Sequence, residues 1–389
     1  MERIVEEFIE LTAIPSPSKG ERAMADALKR KLTELGCEVR EDGAADKIPG
    51  GAGNVTAVLR GTVGQPVLFS AHMDRVPNGD NIRPVLEGDK LTSGGSTILA
   101  ADDVSGIAAI LDGLRRVKES GLPHCDVEVA FTACEELLVT GSRYLDFSAF
   151  KAKHCYCIDS PGHTGRIINA APGKAMVYIE VFGKPAHAGQ APEKGVNALI
   201  MASKVMADMR DGRLDEETTA NWAIISAGKV TNVVCDHVEV CGEVRSRDPR
   251  KVEEYIAYVE RHCQEVISKT PATCQVRVER IYDGFCIPHE DPLLTTLCGV
   301  LEQRDIAPLI EMGGGGMDAN RFNAAGIKSV GVASGYFKNH STEEELYVED
   351  LKRAGRMVAD LVMAYSGKEP VCYDEKTRFA YRQPRLFAL

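Results

Sequence analysis

Apolar side chains at Ile4, Val5, Phe8, Ile9 and Leu11 recur at the spacing of one helical face, and Pro15 and Pro17 end the run. Ser18, with Glu21 three residues on, predicts a capping box at the head of a second helix. Its apolar face is Met24, Leu28, Leu32 and Leu35, closed by Gly36. Short apolar or β-branched runs at 67–70, 127–132 and 154–158 have the character of strands buried on both faces, and 104–117 reads as a helix between them. Strand and helix therefore alternate, which predicts an α/β layered domain whose ligands gather at the carboxyl ends of its strands.

From about residue 174 the rhythm changes. A strand at 175–182, a helix at 195–209, strands at 223–230 and 237–245, a helix at 249–268 and a strand at 273–281 give the order β-α-β-β-α-β. That is the ferredoxin-like unit, complete in itself, so 175–286 is expected to be an inserted α+β domain. The α/β pattern resumes after Pro288 with a helix at 292–303, a glycine run at 313–316, a strand at 329–333 and an amphipathic helix at 348–365. The first domain is thus expected to be discontinuous, 1–174 and 287–389. Residues 367–389 have weak periodicity and several basic side chains, and no internal repeat is present.

A chain of 389 residues suits two domains at roughly 100–200 residues each. Lys and Arg number 46 against 57 Asp and Glu, a net charge of −11, and no basic stripe could track a phosphate backbone. Nucleic acid is therefore not an expected partner. The first residues are acidic where a secretory leader needs a basic start, and no stretch approaches the roughly 20 apolar residues of a membrane span. Twelve scattered cysteines, with Cys155 and Cys157 the closest pair, point to reduced thiols in the cytoplasm rather than a disulfide framework.

The candidate chemistry lies where strands end. The strand at 67–70 runs out into His72-Met73-Asp74, an imidazole and a carboxylate on one side of an extended chain, so that one could bind a metal while the other steadies it. Asp102 and Asp103 precede a helix, Cys134-Glu135-Glu136 follows 127–132, Asp159 follows 154–158, and His340 follows 329–333. Each has an ordinary explanation alone: a strand-end histidine, a solvated first turn, a surface acid. Their coincidence at strand ends of one domain points to a shared crevice. Two imidazoles and several carboxylates without a thiolate suit Zn, Co or Mn. Five ligands would be too many for one tetrahedral ion, and are enough for two ions about 3.5–4 Å apart that share a carboxylate, bind a hydroxide and polarise a carbonyl.

In this order, His-x-Asp, Ala-Asp-Asp, Glu-Glu, Asp and the segment Asn339-His340-Ser341-Thr342-Glu343-Glu344 resemble the co-catalytic zinc peptidases of the aminoacylase and carboxypeptidase G superfamily, and its peptidase T branch most closely, over residues 1–366. The resemblance implies a zinc-peptidase-type catalytic domain with a mixed sheet flanked by helices, and a lid and dimerisation domain inserted in it. It implies that Asp102 bridges two divalent ions, His72 and Asp159 complete one site, and Glu136 and His340 complete the other. Asp74 would orient His72, and Glu135 would be the general base. In Gly183-Lys184-Pro185-Ala186-His187-Ala188-Gly189, His187 matches the lid histidine that stabilises the oxyanion, often across a dimer. Asn232 and Arg245 match substrate-holding positions, and a planar guanidinium suits a carboxylate, although a strand-end arginine also serves in surface ion pairs.

The run 313–316 followed by Met317-Asp318-Ala319-Asn320 resembles the branch's Gly-Gly-x-Asp-Ala-Asn segment and could let backbone approach a bound peptide. Val104 departs from the pattern, since many relatives have lysine there, which puts the subfamily in doubt rather than the ligands. The function implied is a dinuclear metallopeptidase, an aminopeptidase acting on short peptides as a homodimer. A carboxypeptidase or N-acyl amino acid amidohydrolase with the same metals is the alternative within the class, and a noncatalytic peptide-binding protein is the alternative outside it.

Overall fold

The computed structural model describes residues 2–368, and the basic tail from 369 onward lies outside the described residues. The chain divides into two units: residues up to Ala170 with Ile287–Gly313 and everything from Met317, and Ala171–Cys286 with Gly314–Gly316.

The first unit is built on a mixed sheet. Its spatial order runs Glu38–Glu41, Val55–Leu59, Val127–Thr132, Val67–His72, His154–Ser160, Lys328–Ala333 and Arg166–Ala171. The middle four of these, Val127–Thr132 to Lys328–Ala333, are mutually parallel, and their neighbours on either side are antiparallel to them. Val67–His72 and Val127–Thr132 are buried at every position, as expected of parallel strands covered on both faces. The helix Ala101–Ser120 is buried over most of its length, because the sheet lies on one side of it and the helix Val348–Tyr365 on another.

Three local expectations change in the structure. The helix read at 104–117 begins at Ala101, so the paired acids fall inside its first turn. Ser18 and Glu21 make no capping box: Glu21 is the N-cap of the helix Arg22–Glu34 without a side-chain cap bond, and the Ser18 hydroxyl donates to Asp74 Oδ2 at 2.6 Å. The strand expected at 223–230 is Thr218–Ala227, since its pairing with His237–Ser246 starts at Thr218 opposite Ser246, with a bulge between Trp222 and Ile224.

The second unit is a five-stranded antiparallel sheet in the order Gly212–Arg213, Thr218–Ala227, His237–Ser246, Gly173–Phe182, Thr273–Tyr282. The helices Ala198–Ala207 and Pro249–Ile267 cover one face, and their apolar sides bury Val205, Val259 and Cys263 against Val177, Ile179, Val181 and Val238. The Asn197 side chain caps the first helix by accepting from the N–H groups of Leu199 and Ile200.

In the first unit, Gly106 sets how closely the Ala101–Ser120 helix lies on the sheet. A Cβ there would come 2.2 Å from the Ile158 carbonyl oxygen and 2.4 Å from Asp103 Oδ1. Helix propensity alone favours alanine over glycine by about 1 kcal/mol, but the crowding costs about 1–3 kcal/mol. Gly106→Ala is therefore expected to lower the thermal midpoint. A midpoint unchanged or raised in a melting experiment would show that the helix has room to move.

Candidate metal centre

The four parallel strands end level with one another: His72 stands opposite Thr132, and Ala333 opposite Ser160. The chain leaving these ends supplies the chemistry. His72 closes its strand, Asp159 is the penultimate residue of another, Glu135 and Glu136 follow Thr132, and His340 follows Ala333 on a loop. Asp102 comes from the head of the Ala101–Ser120 helix, where it and Asp103 have non-helical dihedrals and the peptide between them is cis. Ala100, Cys134 and His340 all have positive φ, at 56°, 53° and 61°. Left-handed backbone at residues other than glycine costs energy, and here it is concentrated where acids and imidazoles are presented.

These turns bring the side chains together. His72 Nε2 is 3.1 Å from Asp102 Oδ1 and 3.9 Å from Asp159 Oδ1. His340 Nε2 is 3.2 Å from Asp102 Oδ2 and 3.0 Å from Glu136 Oε1. The two oxygens of Asp102 thus face different imidazoles. In each triplet, His72–Asp102–Asp159 and Asp102–Glu136–His340, one ligand atom per residue lies within 4.8 Å of the others. The Nδ1–H of His72 faces the Asp74 carbonyl oxygen at 2.9 Å, an arrangement that leaves the Nε2 lone pair directed at the acids. The Asp74 carboxylate is further from that ring, at 3.4 Å, and accepts instead from the N–H groups of Glu135 and Glu136 at 2.8 and 3.2 Å.

Electrostatics test whether a cation fits. Burial pushes the carboxyls of Asp159, Asp103 and Glu135 well above the ordinary carboxylate range, and neighbouring acids add to it. Asp102 is as buried, yet hydrogen bonds from His340 and His72 hold it below that range. Burial opposes charge on His72, but Asp102 and Asp74 raise it well above its usual value, and Asp102 and Glu136 raise His340 to about 10. The chain by itself therefore meets the acid cluster with protons on the imidazoles. A divalent cation replaces those protons with metal charge at the same atoms, so the donor set fits.

The remaining residues divide clearly. Glu135 is buried beside the triplets, and its carboxylate accepts no hydrogen bond from the described residues. His187, Asn232 and Arg245 belong to the second unit. There His187 pairs with Val233, and the Ala188 N–H donates to the Asn232 carbonyl at 3.0 Å, so the first two share one loop cluster. Arg245 Nε donates to Glu243 at 2.7 Å, in an ion pair along its own strand. Gly316 lies against the Tyr282 ring, where a Cβ would come within 2.2 Å, which accounts for one glycine of the run.

Several supporting residues had no role assigned from sequence. Glu344, the last residue of the Asn339 segment, accepts from the N–H groups of Leu99, Ala100 and Asp102 at 2.7, 2.8 and 3.0 Å and so fixes the turn that presents Asp102. Asp103 accepts from the His72 N–H at 3.0 Å, Asn339 Nδ2 donates to Asp102 Oδ2 at 2.6 Å, and the Tyr336 hydroxyl donates to Asp159 at 3.3 Å. Membership of the quoted motifs was the available signal for Glu344, Asp103 and Asn339; Tyr336 had none.

Comparisons with known proteins identify the family. The model described as a peptidase dimerisation domain matches residues 169–271, and that of peptidase family M28 matches residues 54–158. The crystal structure of aminopeptidase PepT from Bacillus cereus is 36% identical with a TM-score of 0.86, over 94% of this chain and 98% of that one. A tripeptidase from Staphylococcus aureus is 30% identical with a TM-score of 0.88 over the same shares. The uncharacterised protein YqjE of Bacillus subtilis is 37% identical over 92% of this chain and 97% of its own. The chain belongs to the peptidase T-like M20 metallopeptidases. It is a metal-dependent peptidase, a hydrolase of peptide bonds with a catalytic unit and a lid unit.

For a peptidase T-like enzyme with this acid cluster, cation binding must stabilise the fold. At a free concentration one hundred times the dissociation constant, each site adds about 2.7 kcal/mol. Adding zinc, cobalt or manganese to chelator-treated protein should raise the melting temperature, and Asp102→Asn should remove most of the rise. A wild-type midpoint indifferent to all three ions would refute a metal centre at these residues.

Proposed function

We propose that the chain is a dinuclear aminopeptidase that hydrolyses short peptides, acting as a homodimer in the cytoplasm. The observation that carries the reading is the Asp102 carboxylate, whose two oxygens serve two separate ligand triplets. His72 and Asp159 would hold one ion, Glu136 and His340 the other, and Asp102 both. A nitrogen and oxygen donor set favours zinc, with cobalt or manganese also suited. When bound, the pair supplies Lewis acidity that polarises the scissile carbonyl and lowers the pKa of water.

The chain's own residues do the rest. Glu135, buried and uncommitted, takes a proton from the attacking water and delivers it to the leaving amine. Asp74 acts through His72 and through the loop that carries Glu135. His187 Nδ1 accepts from the N–H groups of Gly189 and Gln190 at 3.2 and 3.1 Å, so its proton sits on Nε2, which is a donor suited to a developing oxyanion. Asn232, on the adjoining loop, and Arg245, through the guanidinium nitrogens that Glu243 leaves, hold the substrate's polar groups. Arg245 suits a carboxylate.

An aminopeptidase reading is supported by relatives described as aminopeptidase and tripeptidase, while a carboxypeptidase or deacylase would use the same ligands. Glu135→Gln is expected to keep its metal and to lose at least about 99% of turnover. Wild-type enzyme should cleave a free-amine tripeptide and spare its N-acetylated form. Cleavage of both would move the assignment to the deacylase alternative, and full activity in Glu135→Gln would remove the base.

Homodimer formation is supported by the second unit's open edge. Gly212–Arg213 pairs with Thr218–Ala227 only at Ala220 and Thr219, and beyond them Ile224 and Ile225 are 61% and 58% exposed. Leu199, Ile200, Val230 and Val233 are exposed as well. An apolar strand edge of this kind invites pairing with another strand, and a second copy about a two-fold axis supplies one. The cytoplasmic assignment is supported by the described cysteines, all of them free, and no described helix is long and apolar enough to cross a membrane. Ile224→Lys should convert a dimer to a monomer in light scattering after size exclusion; an unchanged mass would place the interface elsewhere.

A further inference from the structure

The loop after Val127–Thr132 carries both Glu135 and Glu136; the carbonyls of Cys134 and Glu135 accept from the backbone N–H groups of Thr140 and Val139 at 3.0 and 2.7 Å, whereas side chains hold the amides that lead into it. The N–H of Ala133 donates to Asn54 Oδ1 at 3.0 Å, and that of Cys134 to Glu21 Oε1 at 3.1 Å. Those of Glu135 and Glu136 donate to the two oxygens of Asp74. Four consecutive amides are thus taken by three side chains from distant segments. None goes to a backbone carbonyl among the described residues. At the far foot of the loop, Asn54 Nδ2 donates to the Gly141 carbonyl at 3.0 Å. Asp318 accepts from both the Thr132 and Ser142 hydroxyls.

We infer that Glu21 is a positioning residue of the peptidase reaction: its carboxylate, by fixing the Cys134 N–H, sets the direction in which Glu135 and Glu136 leave the strand end. The inference rests on the reading above of Glu135 as proton carrier and Glu136 as ligand. Cys134 is the point where aim is decided, because its φ of 53° turns the chain between the strand and the two acids. Glu21 is fully buried, and the same Oε1 accepts from the Lys19 N–H at 2.8 Å, which holds the acceptor in place from its own turn. A fixed acceptor of this kind preorganises what binds to it. Asn54 does the same work one residue earlier and at the other foot.

Reach, rather than charge, is what such a contact needs. A glutamine oxygen accepts an amide proton from the same position, whereas aspartate retracts the oxygen by one methylene, about 1.5 Å. The experiment compares metal-loaded wild type with Glu21→Gln, Glu21→Asp, Asn54→Ala and Glu135→Gln on a free-amine tripeptide, and measures amide exchange at 133–136 in the metal-free full chain. Glu21→Gln should stay within about threefold of wild type in kcat. Glu21→Asp should lose about tenfold to a hundredfold in kcat with little change in KM, and exchange faster at Cys134 and Glu135 alone. Asn54→Ala, an independent cut of the same loop, should show the same split between kcat and KM.

Wild-type kcat in Glu21→Asp, or an equal loss in Glu21→Gln, would overturn the inference, as would exchange that rises across the whole unit and marks a merely structural role. Glu135→Gln separates the two failures. If it is inactive while Glu21→Asp is not, the positioning role falls alone. If it keeps turnover, the reading beneath it falls too.

Discussion

The mutual repulsion of acids buried at the ends of parallel strands governs this structure. Asp102, Asp103 and Glu135 are buried together, with Asp159 partly buried beside them, and carboxylates so placed cannot all ionise without positive charge among them. The chain supplies His72 and His340, which is enough to hold Asp102 ionised and leaves the other three pushed toward their protonated forms. The cost is tolerated because the same crowding creates affinity for divalent cations, while the two oxygens of Asp102 face different imidazoles.

Such a cluster requires a scaffold that cannot relax away from it. The parallel core provides one, since strands buried on both faces leave no direction in which an end can retreat. The turns leaving those ends are then held one amide at a time by buried acceptors: Glu344 for the approach to Asp102, Asp74 for Glu135 and Glu136, and Asp103 for His72. Left-handed residues at Ala100, Cys134 and His340 show where backbone preference has been overridden to aim a side chain.

What could be read from sequence follows from how local each feature is. The helix Val348–Tyr365 was legible to the residue because its periodicity, start and stop all lie within it. The strand Thr218–Ala227 was displaced toward its apolar half, since polar Thr218 and Thr219 become strand only through partners far along the chain. Ser18 and Glu21 carry the spacing of a capping box, but the hydroxyl and carboxylate are claimed by Asp74 and by the Cys134 N–H, which sequence proximity cannot reveal. The acids and imidazoles themselves were legible because strand ends of a parallel sheet converge whatever their order. Asn54 and Tyr336, which support them, were not, because they act across space on backbone or on another side chain, and Glu344 was visible only as a member of its motif.

Two demands of the polypeptide are left unmet within a single copy, and they differ in kind. The acid cluster lacks positive charge at a few points, a demand met by small ions held by specific atoms and sensitive to pH through the imidazole protons they displace. Beyond Ala220 the outer edge of Thr218–Ala227 has no strand partner among the described residues and its apolar side chains stay exposed, a demand along a line that no ion can meet. Each deficit identifies its complement by its own geometry. Because the deficits sit in different units of the chain, a substitution that disturbs the acid cluster need not disturb the strand edge, nor the reverse.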